Sequence, residues 1–194
     1  MCIRDRGNTG STGAINYDYI SYYTNQLPNT YETLNRSIVN KSTQIISGTQ
    51  YFVFFTPLKE FNTTTISIST GNTAIIDASF IKFGLYMIDN SNNASLVANT
   101  ENNISLFTST YTLYSDTFST SYTIQSGTRY AISFLIIANT MPTLYGIENI
   151  GALTNLPPKI NGISNQLQTD LVTTITNIEI IANTNNNIQW IKLS

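Results

Sequence analysis

The sequence predicts an all-β fold, an antiparallel β-sandwich of the jelly-roll-like type. About ten short segments rich in β-branched and aromatic residues recur along the chain, separated by turns of Asn, Ser and Gly. No segment of the 194 residues shows a clear helical period of apolar residues. Only 10% of the residues are charged, against about 25% in an average globular protein. Thr, Ser and Asn replace the missing charges, and they favour strands and turns over helix interiors.

The first predicted strands lie between residues 44 and 69. Gln44 to Phe55 is a β-branched and aromatic run that contains a Ser47-Gly48 turn. We therefore expect a short strand, a turn, and then a strand from Gln50 to Phe55. Thr63 to Ser69 alternates polar and apolar residues, which predicts a half-buried strand before the turn at Gly71-Asn72.

The central part of the chain contains the densest strand signals. Phe80 to Ile88 is apolar on both faces except at Lys82, which predicts a strand that is covered on both sides. A polar loop at residues 89–93 follows it. Further strands are expected at Ala94 to Ala98, Ile104 to Phe107, Tyr111 to Tyr114, Thr117 to Gln125 and Tyr130 to Ile137.

The pattern changes after Met141-Pro142. Leu144 to Gly162 reads as a loop, because Pro157-Pro158 is incompatible with a helix or a central strand. Two last strands are expected at Thr173 to Ala182 and Ile188 to Leu193.

We predict three parts along the chain: residues 1–14, 15–42 and 43–194. Met1 to Arg6 looks like translated adapter sequence, so that Cys2 is not native. The glycines of Gly7 to Gly13 recur at every third position, which indicates a flexible linker or the end of a collagen-like stalk. Residues 15–42 form a Tyr-rich leader, with a short helix considered for Tyr31 to Val39, and residues 43–194 form the sandwich.

Composition argues against several classes of function. A net charge of −2 and nine scattered Lys and Arg residues predict no nucleic-acid binding. No apolar run approaches the roughly 20 residues that cross a bilayer, so no membrane insertion is expected.

The chain contains no histidine and one cysteine, which removes the common nucleophilic and zinc chemistries. We therefore expect neither an enzyme, nor a cofactor, nor a metal site. Asp89 and the asparagines after it offer oxygen ligands for calcium, but a solvated turn explains them better.

Four residues form the predicted ligand-binding site: Tyr111, Tyr114, Asp116 and Tyr145. Saccharide sites combine an aromatic platform with a carboxylate or amide, because one face of a pyranose is apolar while its hydroxyls need hydrogen-bond partners. The alternative is that these tyrosines are half-buried strand residues. Trp190, on the last strand, is expected in the core.

Six short sequence segments, named at the end of this paragraph, are similar in their residues and in their order to a jelly-roll-like domain at the ends of bacteriophage tail fibres and other virion proteins. The resemblance covers about three quarters of the chain. Asn-rich loops stand where the family has glycine-rich ones. The segments are Tyr51-Phe52-Val53-Phe54-Phe55-Thr56-Pro57, Thr64-Thr65-Ile66-Ser67-Ile68, Lys82-Phe83-Gly84-Leu85-Tyr86, Ser95-Leu96-Val97-Ala98, Tyr122 to Ile132 and Pro142-Thr143-Leu144-Tyr145-Gly146.

The resemblance implies a structural domain on the virion surface that attaches to a host receptor, either a cell-surface glycan or a protein. It also implies a homotrimer, with the leader at the three-fold contact; a monomer whose leader covers its own sandwich is the alternative. A carbohydrate-binding module or adhesin domain of a secreted bacterial protein remains the second interpretation of the function.

Alternation within the strongest strands predicts the hydrophobic core. Because both faces of the strand near Phe83 are expected to be buried, the sequence leaves open which of its residues point to the main core. The expected core residues are Phe52, Phe54, Ile66, Ile68, Phe83, Leu85, Ile132, Phe134 and Ile136.

Overall fold

The computed structural model describes residues 29–148, 158–164, 167–178 and 187–194, and the regular secondary structure of this part is almost entirely β. The strands, in chain order, are β1 (Tyr31–Glu32), β2 (Lys41–Gln44), β3 (Gln50–Phe55), β4 (Phe61–Ser69), β5 (Ile76–Ile88), β6 (Ala94–Asn99), β7 (Leu113–Ile124), β8 (Tyr130–Thr140), β9 (Thr143–Glu148), β10 (Asn161–Ile163), β11 (Thr174–Ile175), β12 (Asn187–Gln189) and β13 (Ile191–Leu193).

The strands form three antiparallel sheets. The six-stranded sheet has the order β10-β3-β8-β5-β6-β11, and the four-stranded sheet has the order β1-β13-β4-β7. A small three-stranded sheet, β12-β9-β2, lies beside them. The predicted all-β sandwich is therefore confirmed.

The pairing of the middle strands is nested like a long hairpin that has been rolled up. β3 pairs with β8, β4 pairs with β7, and β5 pairs with β6. Because β4 and β7 lie in the four-stranded sheet and the other four strands in the six-stranded sheet, the roll closes over a common interior. With β1–β13 as a fourth, outermost pair, the nested pairs give the connectivity of an eight-stranded jelly roll.

The main core lies between the six-stranded and four-stranded sheets. Leu85, Ile132 and Phe134 are fully buried from one side, and Ile66 and Ile191 from the other. The predicted core positions Ile66, Ile68, Phe83, Leu85, Ile132, Phe134 and Ile136 all belong to this cluster.

The predicted inner face of β3 was wrong. Tyr51, Val53 and Phe55 face the main core, whereas Phe52 and Phe54 belong to a second apolar cluster that also contains Tyr86 and Ile178. Both faces of β3 are apolar and both are covered, so period-2 alternation could not identify the inner one.

A buried polar network joins the segment around Val172 to the six-stranded sheet. The amide nitrogen of Gln50 donates to the hydroxyls of Tyr86 and Ser133, both at 2.8 Å. The Gln50 side-chain oxygen accepts from the Val172 backbone N–H at 3.2 Å, and the Tyr86 hydroxyl donates to the Val172 carbonyl at 2.5 Å. The segment is thereby held by satisfied polar groups beside its apolar contacts.

The structure corrects three predicted strands in the centre of the chain. Ile104 to Phe107 forms a turn, and Phe107 has a left-handed φ of 66° although its side chain is fully buried. The two short strands predicted before and after Asp116 are one strand, β7. Its alternation is weak because most of its residues are Ser, Thr or Tyr, which suit either face of an edge strand.

The end of the chain contains strands that were predicted as loop. β9 and β10 overlap the two ends of Leu144 to Gly162, whose residues 149–157 are outside the described part. Of the strand predicted at Thr173 to Ala182, only β11 is described as strand, and residues 179–182 lie outside the description. The predicted strand Ile188 to Leu193 is broken at Trp190 into β12 and β13.

Residues 29–42 contribute to the sheets through β1 and β2, which pair with β13 and β9. The helix considered for Tyr31 to Val39 is a single 3₁₀ turn, Arg36–Ile38, begun by Asn35, whose side chain accepts from the Ser37 backbone N–H. The adapter-like segment, the glycine repeat and the tyrosines before residue 29 lie outside the described residues.

Ionisation of Tyr31 is expected to lower the free energy of unfolding at alkaline pH. Its ring packs against Phe55 with a centroid distance of 4.5 Å, and burial raises the pKa of its hydroxyl to about 12. The unfolded value is near 10, so the stabilising contribution is present below about pH 10 and is lost as the pH rises towards 12. Tyr31→Phe should therefore lose less stability than the wild type between pH 9 and pH 11 in urea unfolding. Equal losses in the two proteins would contradict this role of Tyr31.

Candidate functional site

An open groove lies on the outer face of the four-stranded sheet, where this sheet meets the three-stranded sheet. Its volume is about 610 Å³, which is within the range of small-molecule sites. The lining residues are Arg36, Val39, Ser69, Leu113, Tyr145, Trp190 and Lys192.

Strand alternation explains why Lys192 faces the groove. Its neighbours Ile191 and Leu193 are fully buried in the main core, so the side chain between them points to the opposite face of the sheet. Leu113 lies opposite Ser69 in the β4–β7 ladder, beyond the inward-facing Ile68. Leu113 is 55% exposed, which leaves an apolar side chain available to a ligand.

Arg36 is held in place by a buried carboxylate. Its guanidinium Nε donates to Glu32 Oε2 at 3.0 Å, and its Nη2 donates to Glu32 Oε1. The hydrogen bond to Glu32 raises the pKa of Arg36, and the Coulomb attraction adds to this effect while desolvation opposes it. The Arg36 side chain is 58% exposed and that of Glu32 only 1%, so the pair presents its cation to the solvent.

Trp190 connects the aromatic and the charged parts of the groove. Its indole N–H donates to Glu32 Oε2 at 3.1 Å, and the Arg36 guanidinium lies 5.7 Å from its ring centroid. Its backbone N–H donates to the Tyr145 carbonyl at 2.9 Å. Trp190 is buried, as the sequence predicted, and it also lines the groove.

Tyr111 and Tyr145 come together beside the groove although they are far apart in sequence. Their ring centroids are 6.5 Å apart and the ring planes are inclined by 42°. Tyr111 is 67% exposed and has a left-handed φ of 52°; its backbone N–H donates to the Gly71 carbonyl at 2.9 Å. These two predicted site residues therefore form an accessible aromatic pair.

The other two predicted site residues point to the inner side of the sheet. Tyr114 packs edge-on against the buried Phe107 at 5.4 Å and adjoins the main core. Its hydroxyl accepts from the Ser109 backbone N–H at 2.6 Å. Asp116, opposite Ile66 in the ladder, accepts from the Asn103 amide at 3.2 Å. The structure thus does not place Tyr114 and Asp116 with the aromatic pair, because residues 114 and 116 share the face of β7 that Leu113 does not.

The Asp89 loop uses its oxygens internally. Asp89 Oδ1 accepts from the backbone N–H groups of Ser91 and Asn93, both at 2.8 Å, and Oδ2 accepts from the Asn93 amide at 3.1 Å. These bonds lower the pKa of Asp89, chiefly through the backbone bond from Asn93. Among the described residues, no group of three or more His, Cys, Asp or Glu side chains is placed to hold a metal ion.

Sequence reasoning did not identify Arg36, Leu113 or Lys192 as site residues. Lys192 and Arg36 are 156 positions apart in the chain, and no local motif connects them. One signal in the sequence was available. Lys192 is a single cation between two apolar residues, and alternation along a strand places its side chain on the face opposite to theirs.

Comparison of the chain with models of known protein families gives no match, and comparison with curated proteins gives none either. In the part of the chain that the structure describes, no helix is long and apolar enough to span a membrane.

Proposed function

We propose that this chain is a non-enzymatic attachment domain on the surface of a virion, at the tip of a bacteriophage tail fibre or in a related particle protein, and that it binds a host-cell saccharide in the groove. The observation that carries the proposal is the pair formed by the exposed Tyr111 and the half-buried Tyr145 beside an open groove. Most of the segments that resemble the phage family lie on β3 to β8, the strands of the rolled hairpin, which is consistent with the proposal.

The chemistry of the groove supports binding rather than catalysis. Among the described residues, the acidic side chain that bonds to a cation of the groove is Glu32, which is buried and hydrogen-bonded to Arg36 and Trp190. Hydrolysis of glycosides requires two carboxyl groups about 5–10 Å apart at the scissile bond. No such pair is among the residues that line this groove.

A carbohydrate-binding module or adhesin domain of a secreted bacterial protein would use the same groove. Genes for tail or baseplate proteins beside this gene would favour the virion assignment. A hydrolase domain fused to this chain would favour the secreted module.

Binding of the full chain to a glycan array tests the attachment function. We expect saturable binding, and Tyr145→Ala should weaken it about tenfold, or about 1.4 kcal/mol, because the apolar face of the sugar loses the ring surface that it covers. Tyr145→Phe should retain most of the affinity, since the ring remains. Leu58→Ala is the matched control, because Leu58 is 60% exposed and is not among the groove residues. Absence of binding to any glycan would contradict the proposal.

We also propose that the domain works as a homotrimer. The support is the resemblance to fibre tips together with a low charge fraction of 10%, which keeps repulsion between copies small. Light scattering of the full chain at tens of micromolar should give three times the chain mass of 21.5 kDa. A mass of one chain would contradict the trimer and leave the saccharide groove of each copy unaffected.

A further inference from the structure

We propose that the groove selects saccharides that carry a carboxylate, such as uronic or sialic acids. The inference rests on the proposed attachment function and deepens it by naming the ligand class. The sugar carboxylate would bind between the Lys192 ammonium and the free edge of the Arg36 guanidinium, while the ring stacks on Tyr145.

The charge balance of the groove is positive. Arg36 and Lys192 are the cations among the lining residues, and none of those residues is acidic. Glu32 lies beneath them and neutralises one charge, because both of its oxygens accept from Arg36 and one also accepts from Trp190. Counted over the described residues, one positive charge therefore remains uncompensated, which matches a monoanionic ligand.

Lys192 carries this remaining charge. In the β1–β13 ladder its backbone lies opposite Glu32, yet no ion pair joins the two side chains. Within the described residues the Lys192 ammonium has no ion-pair partner. Its strand is fixed by Ile191 and Leu193 in the core, so the ammonium is confined to the side of the groove.

Arg36 is prepared for a second anion. A guanidinium has five N–H donors, and Glu32 engages Nε and Nη2, which leaves the donors of Nη1 for a ligand. The contact with the Trp190 ring and the two bonds to Glu32 restrict the side chain before a ligand arrives. Less conformational entropy is then lost on binding than for a flexible cation.

The apolar part of the groove favours a sugar over a small inorganic anion. Leu113, Val39 and the Tyr145 ring line the same space as the two cations. A phosphate or sulfate ion alone would leave these surfaces uncovered. A pyranose carboxylate would cover them with its ring while its charged group meets Lys192.

The test compares ligands that differ only in charge. Calorimetry of the full chain would use an oligogalacturonate and sialyllactose, each against its own methyl ester, at low ionic strength. We expect each acid to bind about tenfold more tightly than its neutral counterpart, since a hydrogen bond to a charged group contributes more than a neutral one. The preference should shrink as salt is added.

Lys192→Gln should abolish this preference, because the affinity for each acid should fall to that for its neutral counterpart. Lys59→Gln removes the same charge from an exposed residue that is not among those lining the groove, and it should preserve the preference. Melting temperatures of both variants establish that they fold.

Equal affinities for the acids and their neutral counterparts would overturn the inference while the attachment function stands. A preference that survives in Lys192→Gln, or tighter binding of a sulfated than of a carboxylated oligosaccharide, would also overturn it. Failure of every saccharide to bind would overturn the inference and the attachment function together.

Discussion

Replacing Phe134 with alanine is expected to lower the free energy of unfolding by about 3–5 kcal/mol, the usual cost of removing a buried Phe. Phe134 is fully buried in β8, the strand of the six-stranded sheet that pairs with both β3 and β5. Its ring stacks on Tyr51 with a centroid distance of 5.0 Å and an interplanar angle of 3°. Truncation would leave a cavity between the two sheets that the surrounding strands cannot close.

Urea unfolding followed by intrinsic fluorescence measures this loss. Leu58→Ala is the control, since Leu58 is 60% exposed and a surface truncation should change the free energy by less than about 0.5 kcal/mol. A loss below about 1 kcal/mol for Phe134→Ala would show that β8 does not present this face to the core.

Gly146→Ala should be the second strongly destabilising change, with a loss of about 3 kcal/mol, at the upper end for overpacked sites. Gly146 lies in β9, the central strand of the three-stranded sheet, with Lys41 on one side and Gln189 on the other. A Cβ atom built on Gly146 would lie 2.1 Å from the Ile188 carbonyl oxygen. Because that oxygen belongs to the backbone, only a separation of β9 from β12 would relieve the contact.

The same substitution should weaken saccharide binding. Tyr145 and Trp190 are joined by the bond between the Trp190 N–H and the Tyr145 carbonyl, next to the displaced strands. Gly127→Asn is the control: a Cβ there meets nothing within 4 Å, and Asn tolerates the φ of 75°. Thermal unfolding and glycan binding would be measured for both variants. Wild-type stability in Gly146→Ala would contradict the close approach of β9 and β12.

Strong local patterns were sufficient to predict several elements. The strand Gln50–Phe55 was predicted with its correct bounds, because a β-branched and aromatic run is enclosed by Gly48 and Pro57. In β4, alternation identified Ile66 and Ile68 as the inner face, since the opposite positions are polar. Where only one face is apolar, the period of two determines the side that is buried.

Local patterns failed where both faces are apolar or neither is. Phe52 and Phe54 pack in the second apolar cluster because the segment 167–178 covers the face of β3 that points away from the main core. Nothing in the sequence of β3 itself indicates that this face is covered. β7 is long and continuous although its sequence is mostly Ser, Thr and Tyr, because β4 supplies its hydrogen-bond partners. β9 is a strand for a similar reason, since β2 and β12 pair with it on both sides.

The sequence by itself determined the all-β class, the inner face of the strands with one apolar side, and the aromatic residues Tyr111 and Tyr145 as site candidates. Only the tertiary structure decided that these two rings meet, that Tyr114 and Asp116 turn inward, and that Arg36, Trp190 and Lys192 join the groove. Side-chain alternation is a local property of the backbone and can be read along a strand. The groove is formed by strands and a 3₁₀ turn that are distant in sequence, and their proximity depends on the pairing of β13 with β1 and β4.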